Sequence, residues 1–117
     1  MNEIFVRGNI YLANLNPSRG AEVGKVRPVL VIQSNKLNEI NYSTVNILPL
    51  TTALMNDEFL RLRVVKRNKL SHDSDVLCTQ FRALDIGKFT SSAIATLNAD
   101  EMQQIEQKIE WILGFND

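Results

Sequence analysis

The residues best placed for chemistry are a cation and two hydroxyls, each lying at one end of an apolar run. Arg27 precedes Pro28, and the run Val29–Ile32 follows without a polar residue. Proline has no N–H and disfavours the α region for the residue before it, so Arg27 is expected to be extended where a strand begins. The unbroken run favours a central strand covered on both faces. Such a strand would present Arg27 in a fixed direction, although a structural salt bridge at a strand edge is the alternative.

The two hydroxyls belong to Thr51 and Thr52, which end a later apolar run, Val45–Leu50. Pro49 within this run cannot donate to a ladder, which predicts that the strand lies at a sheet edge or breaks at a bulge. A bulge would re-aim the side chains that follow it. The alternative is that both threonines are ordinary strand-forming residues.

A polar loop joins the strand predicted at Ile10–Ala13 to the strand that follows Arg27. This loop, Pro17–Lys25, contains Gly20 and Gly24, which predict flexibility, and its position between two strands is typical of a binding loop. A solvated connection is the alternative. The charged residues of the loop are Arg19, Glu22 and Lys25.

The remaining polar candidates carry weaker signals. Leucine and valine alternate with Arg61 and Arg63 over Phe59–Val65, which predicts a half-buried strand with a basic outer face. His72, the only histidine, lies in a polar loop and is expected to be exposed rather than catalytic. Cys78, the only cysteine, is expected to be a core residue. No cluster has metal-ligand spacing, so neither a metal nor a cofactor is expected.

The order of elements predicts one domain spanning residues 1–117. About five short strands precede one helix, which begins after Asn98, has Glu101 in capping-box position and ends at Gly114. A stripe on this helix, with Trp111 alongside, is expected to pack on the core, and it consists of Met102, Ile105, Ile109 and Ile112. The predicted fold class is therefore mainly β with a C-terminal helix, a compact barrel-like sheet.

The net charge of zero hides an asymmetry along the chain. Residues 1–67 contain nine Lys/Arg and five Asp/Glu, whereas residues 68–117 contain four and eight. A basic half is typical of nucleic-acid binders, although ordinary solvation gives the same split. Met1–Glu3 lacks the basic start of a signal peptide, and no apolar run reaches membrane-spanning length. The expected location is a reducing cytoplasm, with no membrane association.

Four segments together resemble one known family, in the right order and spacing over nearly the whole chain. They are Gly8–Pro17, Gly20–Gln33, Pro49–Thr51 and Gln80–Asp85. The family is that of the MazF/PemK toxin endoribonucleases, and the most specific match is Gly-Lys-Val-Arg-Pro-Val-Leu-Val, which begins at Gly24. Two asparagines, Asn9 and Asn14, stand where many members have aspartates, and we expect no inactivation from this change.

The resemblance implies an SH3-like β-barrel with a C-terminal helix, a homodimer, and metal-independent cleavage of single-stranded RNA at short sequences. It also implies a cognate antitoxin that blocks the RNA groove, which we expect to do so with an acidic disordered segment. The family's catalytic arginine and threonine correspond to Arg27 and Thr51, with Thr52 as the alternative hydroxyl. Together with the basic first half, the resemblance makes the expected RNA contacts Arg19, Glu22, Lys25, Thr52, Arg61 and Gln80.

The implied chemistry suits these residue types. RNA supplies its own nucleophile, the 2′-OH, so the protein needs to provide orientation, charge stabilisation and proton transfer. Arg27 suits the charge role because a guanidinium stays protonated and binds phosphate bidentately, and Thr51 can donate to a non-bridging oxygen. The general base is open between Glu22 and His72.

Two other functions stay open. A CcdB-like toxin shares the barrel but poisons DNA gyrase through the end of its C-terminal helix, where this chain has Trp111 and Gly114. A catalytically inactive, RNA-binding or regulatory member of the family is the other possibility.

Overall fold

The chain folds as a curled antiparallel sheet with a long helix at its C-terminus, and a computed structural model describes residues 5–117. Met1–Glu3 therefore lie outside the described residues. The predicted fold class is confirmed, with seven strands in place of about five. The elements are β1 (Asn9–Asn14), β2 (Val26–Val31), α1 (Asn35–Glu39), β3 (Thr44–Thr51), β4 (Arg61–Val64), β5 (Ser74–Leu77), β6 (Arg82–Asp85), β7 (Ala95–Thr96) and α2 (Ala99–Leu113).

The strand order gives the sheet its half-barrel shape. It runs β4-β5-β3-β2-β1-β7, and β6 pairs with the first half of β3. β3 is the longest strand, and it contacts β2 on one side and β6 and then β5 on the other. Because β3 changes partners along its length, the sheet bends there and its two parts enclose the core.

Pro49 lies in this central strand, so the expectation of a sheet edge was wrong. On the side away from β2, the last pair with β6 is at Ile47 and the first pair with β5 is at Leu50. Ile32 N donates to Asn46 O, which shows that the main-chain N–H and C=O groups of the even-numbered residues of β3 point toward β2. The main-chain nitrogen of Pro49 therefore points to the other side, into the gap between the β6 and β5 pairings. A proline is tolerated there because no ladder hydrogen bond is lost.

β2 is buried on both faces, as its apolar run predicts. Val29 and Val31 pack in one hydrophobic cluster with residues of β1, β3 and β6, whereas Leu30 and the adjacent Ile32 pack in a second cluster that includes α2. Residues at the start of β2 are therefore anchored by a strand that the rest of the fold surrounds.

The C-terminal helix begins and ends where the sequence predicts. Asn98 and Glu101 form a capping box, with side chain to main chain distances of 2.8 and 3.0 Å, and Gly114 adopts the left-handed conformation with φ 70°. Met102 and Ile105 are buried in the core. Among the described residues no helix has the length and apolar character needed to cross a membrane.

Trp111 does not pack in the core, contrary to expectation. Its residue surface is 64% exposed, and its ring lies 5.5 Å from that of Phe59, which is 70% exposed. Residue 111 lies about 100° around the helix from the neighbouring stripe position, Ile112, so the aromatic pair sits on the outer surface.

Candidate active site

Arg27 and Thr51 lie at the same end of the two central strands. The register pairs Val29 of β2 with Pro49 of β3, and continuing it by two residues places Arg27 opposite Thr51. Directly opposite residues of an antiparallel pair share a face, with Cβ atoms about 4.5–5.5 Å apart. The fold thus places the cation and the hydroxyl that the sequence singles out at one location.

Two main-chain carbonyls hold the Arg27 guanidinium. Nε donates to Gly24 O at 2.8 Å, and Nη1 donates to Leu50 O at 3.2 Å. In the continued register Pro28 lies opposite Leu50 and has no N–H to give it. The Leu50 carbonyl therefore lacks a ladder donor and accepts from Arg27 instead, so the Arg-Pro step both directs the arginine and leaves an acceptor for it.

No carboxylate among residues 5–117 forms an ion pair with Arg27. Within residues 5–117, the arginines in ion pairs are Arg7, Arg61, Arg63 and Arg67. Burial lowers the pKa of Arg27 from its ordinary value, and an arginine still remains protonated at neutral pH. Its Nη2 meets no protein acceptor in the described part of the chain. A fixed and uncompensated guanidinium of this kind is suited to binding a phosphate.

The Thr51 hydroxyl is oriented by Ala53, the second residue after the strand. Thr51 Oγ1 accepts a hydrogen bond from Ala53 N at 3.1 Å, so its O–H remains available as a donor. Thr52 is exposed and lies beyond the end of β3. The geometry favours Thr51 over Thr52, because only Thr51 lies opposite Arg27 in the register.

The loop between β1 and β2 is held in place rather than loosely hinged. Asn16 Oδ1 accepts from Lys25 N at 2.9 Å, and Lys25 has a left-handed φ of 68°. A Cβ on Gly24 would come within 2.6 Å of Asn16 Oδ1 and 2.7 Å of Ser18 Oγ. A side chain at position 24 would therefore force the Asn16 and Ser18 side chains to shift, so glycine suits the close approach of the two ends of the loop.

Gln80 and Glu22 both bind the main chain of this loop. Gln80 Oε1 accepts from Val23 N at 3.0 Å, and Gln80 Nε2 donates to Ala21 O at 3.3 Å. Glu22 Oε1 accepts from Arg19 N at 2.9 Å. Gln80 lies in the connection between β5 and β6. The geometry gives both side chains a role in shaping the loop, and their contact with RNA stays a prediction.

Two cations that sequence reasoning missed bind the base of the same loop. Arg82 Nη1 donates to Leu15 O at 3.2 Å, and Lys88 Nζ donates to Asn16 O at 2.8 Å. Neither forms an ion pair in the part of the chain that the structure describes. They lie in the acidic half of the sequence, 67 and 72 residues from their acceptors, where net charge conceals them. The one available signal was that Arg82 falls within a segment carrying the family resemblance.

The basic outer face predicted for the fourth strand is partly neutralised by one carboxylate. Arg61 and Arg63 lie on a strand shorter than expected, and both bind Asp75, at 3.1 and 2.6 Å. Asp75 is 1% exposed. Burial raises the pKa of Asp75, but hydrogen bonds from Arg63, Met55 N and Arg61 outweigh it and hold the pKa below its ordinary value. RNA binding by Arg61 stays a prediction.

Within residues 5–117, the two candidate bases form no hydrogen bond with Arg27 or Thr51. His72 is exposed, and its described side-chain hydrogen bond is with the adjacent Ser71, at 2.9 Å. Glu22 is bound to Arg19 N, as above. Cys78 is confirmed as a core residue, and burial raises the pKa of its thiol to about 12. No group of three His, Cys, Asp or Glu side chains within residues 5–117 could hold a metal ion.

Three solved structures share this fold. MazF from Deinococcus radiodurans matches with a TM-score of 0.81 and 23% identity, over 96% of this chain and 98% of that chain. The Mycobacterium tuberculosis toxin MazF-mt6 matches at 0.74 and 21%, over 91% and 96%. A mycobacterial endoribonuclease in complex with its cognate antitoxin matches at 0.74 and 17%, over 96% and 97%. At these identities the similarity shows the fold alone.

The family is shown by the sequence itself. A family model described as the PemK-like, MazF-like toxin of type II toxin–antitoxin systems matches residues 6–113. This range contains the Arg-Pro step, the threonine pair, the loop between β1 and β2 and the long helix. The chain therefore belongs to the family of PemK-like, MazF-like toxins of type II toxin–antitoxin systems.

Proposed function

We propose that this toxin is a sequence-specific endoribonuclease that cleaves single-stranded messenger RNA without a metal ion and thereby inhibits translation. The observation that carries the proposal is the Arg27 guanidinium, uncompensated by a carboxylate among the described residues and held by two carbonyls opposite Thr51. Membership of the family supports the same activity, as does the shared fold with a mycobacterial endoribonuclease.

In the proposed reaction the 2′-oxygen of one nucleotide attacks the adjacent phosphorus. The bond from phosphorus to the 5′-oxygen breaks as the new one forms, so the products end in a 2′,3′-cyclic phosphate and a 5′-hydroxyl. Arg27 binds the non-bridging oxygens as negative charge develops, and the Thr51 O–H donates to one of them. A base removes the 2′ proton and the leaving oxygen gains one. Glu22 and His72 are the two candidates for that base.

The substrate strand would follow the cations around the loop between β1 and β2. Arg82 and Lys88 lie at the base of this loop with Arg27. The three cations donate to main-chain carbonyls, those of Leu15, Asn16, Gly24 and Leu50. Their remaining N–H groups would bind phosphate. Further contacts are proposed for Arg19, Glu22, Lys25, Thr52, Arg61 and Gln80.

The proposed protein partner, like RNA, would be attracted by the positive charge of the groove. A groove that attracts polyphosphate also attracts an acidic peptide, so the cognate antitoxin would inhibit with an acidic disordered segment that orders on binding. Relatives crystallised with an antitoxin support this proposal. We further propose a cytoplasmic homodimer that presents the groove across two chains.

The test is incubation of the purified protein with a long single-stranded RNA in excess EDTA, followed by analysis of the product ends. We expect cleavage at short recurring sequences, with 2′,3′-cyclic phosphate and 5′-hydroxyl ends. Arg27→Ala is the matched control and should leave the RNA intact. Loss of cleavage in EDTA that magnesium restores would contradict the mechanism.

Gyrase poisoning is the second candidate, because Trp111 is exposed near the C-terminal end of α2. A gyrase supercoiling assay separates the two, since only a poison would trap cleaved DNA. A protein that shifts RNA in a gel but cuts neither nucleic acid would instead be an inactive family member.

A further inference from the structure

We propose that Asp75 is a positioning residue for the Thr51 hydroxyl, an inference that rests on the proposed nuclease function. Nothing in the composition or the family resemblance marks Asp75. The structure places it in β5 directly opposite Thr51 of β3 and, on its other side, opposite Arg63 of β4. It is the one buried carboxylate among the described residues.

Asp75 anchors the loop that leaves β3 at Thr51. Its Oδ2 accepts from Met55 N at 2.9 Å and from Arg61 Nη1 at 3.1 Å, and its Oδ1 accepts from Arg63 Nε at 2.6 Å. Both arginines are thereby bound to one carboxylate, which offsets one of their two positive charges. A buried carboxylate with this many donors holds a single geometry, because breaking any one bond leaves a buried charge less well satisfied.

The two arginines carry this constraint to the loop backbone. Arg61 Nη1 also donates to Ala53 O at 2.9 Å, and Arg63 Nη2 donates to Met55 O at 3.2 Å. Ala53 N in turn donates to Thr51 Oγ1 at 3.1 Å. A continuous chain of contacts therefore runs from Asp75 through Arg61 and Ala53 to the hydroxyl.

This series of contacts determines the direction in which the Thr51 hydroxyl hydrogen can point. With Ala53 N bound to one lone pair of Thr51 Oγ1, the O–H is left to donate elsewhere, and the side of the strand that Thr51 shares with Arg27 is where the phosphate would sit. A loosened loop would let Thr51 rotate without removing any group that binds RNA. Misplacement of a catalytic group by about 1 Å can cost on the order of 10²-fold in rate.

The test is Asp75→Asn, which keeps the side-chain shape and removes its charge. We expect the single-turnover cleavage rate to fall by about tenfold or more. The affinity for an RNA with a 2′-deoxy nucleotide at the cleavage site should be unchanged or higher, because Arg61 and Arg63 lose their carboxylate. A parallel loss of affinity and rate would indicate a general structural role and overturn the proposal.

Matched controls separate positioning from loss of stability. Glu101→Gln removes the carboxylate of a comparable ion pair, with Arg67 at 2.6 Å on the N-terminal turn of α2, and should leave the cleavage rate unchanged. If Asp75→Asn does not fold, Arg61→Gln breaks the link to Ala53 O while keeping the pair between Arg63 and Asp75. Its cleavage rate should also fall, and a wild-type rate would overturn the proposal.

Amide hydrogen exchange tests the contact chain without any cleavage assay. In Asp75→Asn the Ala53 and Met55 amides should exchange at least about tenfold faster, since both depend on the tethered loop. The Lys25 amide, bound to Asn16 Oδ1, should be unaffected. Unchanged exchange at Ala53 overturns the positioning role, whereas a wild-type protein that cuts no RNA overturns the nuclease function itself.

Discussion

Arg27 owes its fixed position to the residue that follows it. Pro28 keeps Arg27 extended and, having no N–H, leaves the Leu50 carbonyl for the guanidinium to bind at 3.2 Å. A lysine at position 27 would keep the charge but could not bind two carbonyls and a phosphate at once in a planar arrangement. The orientation of the Arg27 guanidinium therefore depends on the residue that follows it in sequence.

Cys78 gives a prediction at the scale of a single residue. Burial raises the pKa of its thiol to about 12, so the thiolate is nearly absent at about pH 8. Native protein should react with a thiol-specific reagent far more slowly than protein unfolded in guanidinium. Rapid labelling of the native protein would show that the side chain is not enclosed.

Asp75 gives a prediction about acid stability. Its pKa is lowered in the folded state, so it stabilises the fold fully above the ordinary aspartate value and loses that contribution as pH falls through the lowered value. The free energy of unfolding of the wild type should fall as the pH is lowered below the ordinary aspartate pKa of 3.8, and that of Asp75→Asn should fall less. Denaturant unfolding at several pH values measures both. Equal slopes would mean that the carboxylate is not tied to its arginines.

At the scale of the elements, the two proline positions in the central strands have different consequences. Pro28 leaves an acceptor that Arg27 uses, whereas Pro49 faces the gap between the pairing segments of β5 and β6. The proline of β2 thus directs an arginine of the candidate site, whereas the proline of β3 is merely tolerated.

This difference predicts opposite outcomes for two alanine variants. In Pro28→Ala the new N–H can donate to Leu50 O and displace Arg27 Nη1, so the cleavage rate should fall several-fold to about tenfold. Stability should change by no more than about 1 kcal/mol, because the new hydrogen bond offsets the added freedom of the unfolded chain. Pro49→Ala is the matched control and should cleave normally. Equal rates for both variants would contradict the role given to Pro28.

Sequence patterns predicted the elements whose signals are local. The run from Val29 identified a strand buried on both faces, and the capping box at Asn98 identified the start of α2. The position of Trp111 was mispredicted because it neighbours a core stripe in sequence but not around the helix. A helical periodicity predicts burial only for the residues whose own angular positions fall on the buried face.

The candidate site was only partly predictable, because many of its contacts join residues that are far apart in sequence. Arg27 could be singled out because its neighbours in sequence direct it. Asp75, Arg82 and Lys88 act on segments far away in sequence, and no local pattern reveals which carbonyl or guanidinium each one meets. Gly24 was recognised, but its tight contact with Asn16 could not be distinguished from flexibility without the structure.

In the molecule as a whole, a net charge of zero conceals a difference between cations that are paired with carboxylates and cations that are not. Arg61, Arg63 and Arg67 are paired with carboxylates, whereas Arg27, Arg82 and Lys88 are bound to neutral carbonyls among the described residues. Three cations without an ion pair in residues 5–117 therefore bind around one loop, and composition alone does not reveal this.

This distribution predicts how the antitoxin inhibits. A short acidic peptide from the cognate antitoxin should inhibit cleavage competitively with RNA, and its association should slow as salt is raised. Arg27→Ala should weaken peptide binding, as measured by calorimetry. Non-competitive inhibition, or binding indifferent to both Arg27 and salt, would contradict a shared groove.

The most direct test of the catalytic site is single-turnover cleavage of one RNA by Thr51→Val, Thr52→Val and Arg27→Lys, each first shown to be folded. We predict that the single-turnover cleavage rates of Thr51→Val and Arg27→Lys fall by a factor on the order of 10²–10³, as expected when a donor to developing charge is removed. Thr52→Val should retain the wild-type rate. Wild-type cleavage by Thr51→Val, or a loss confined to Thr52→Val, would contradict the pairing of Thr51 with Arg27.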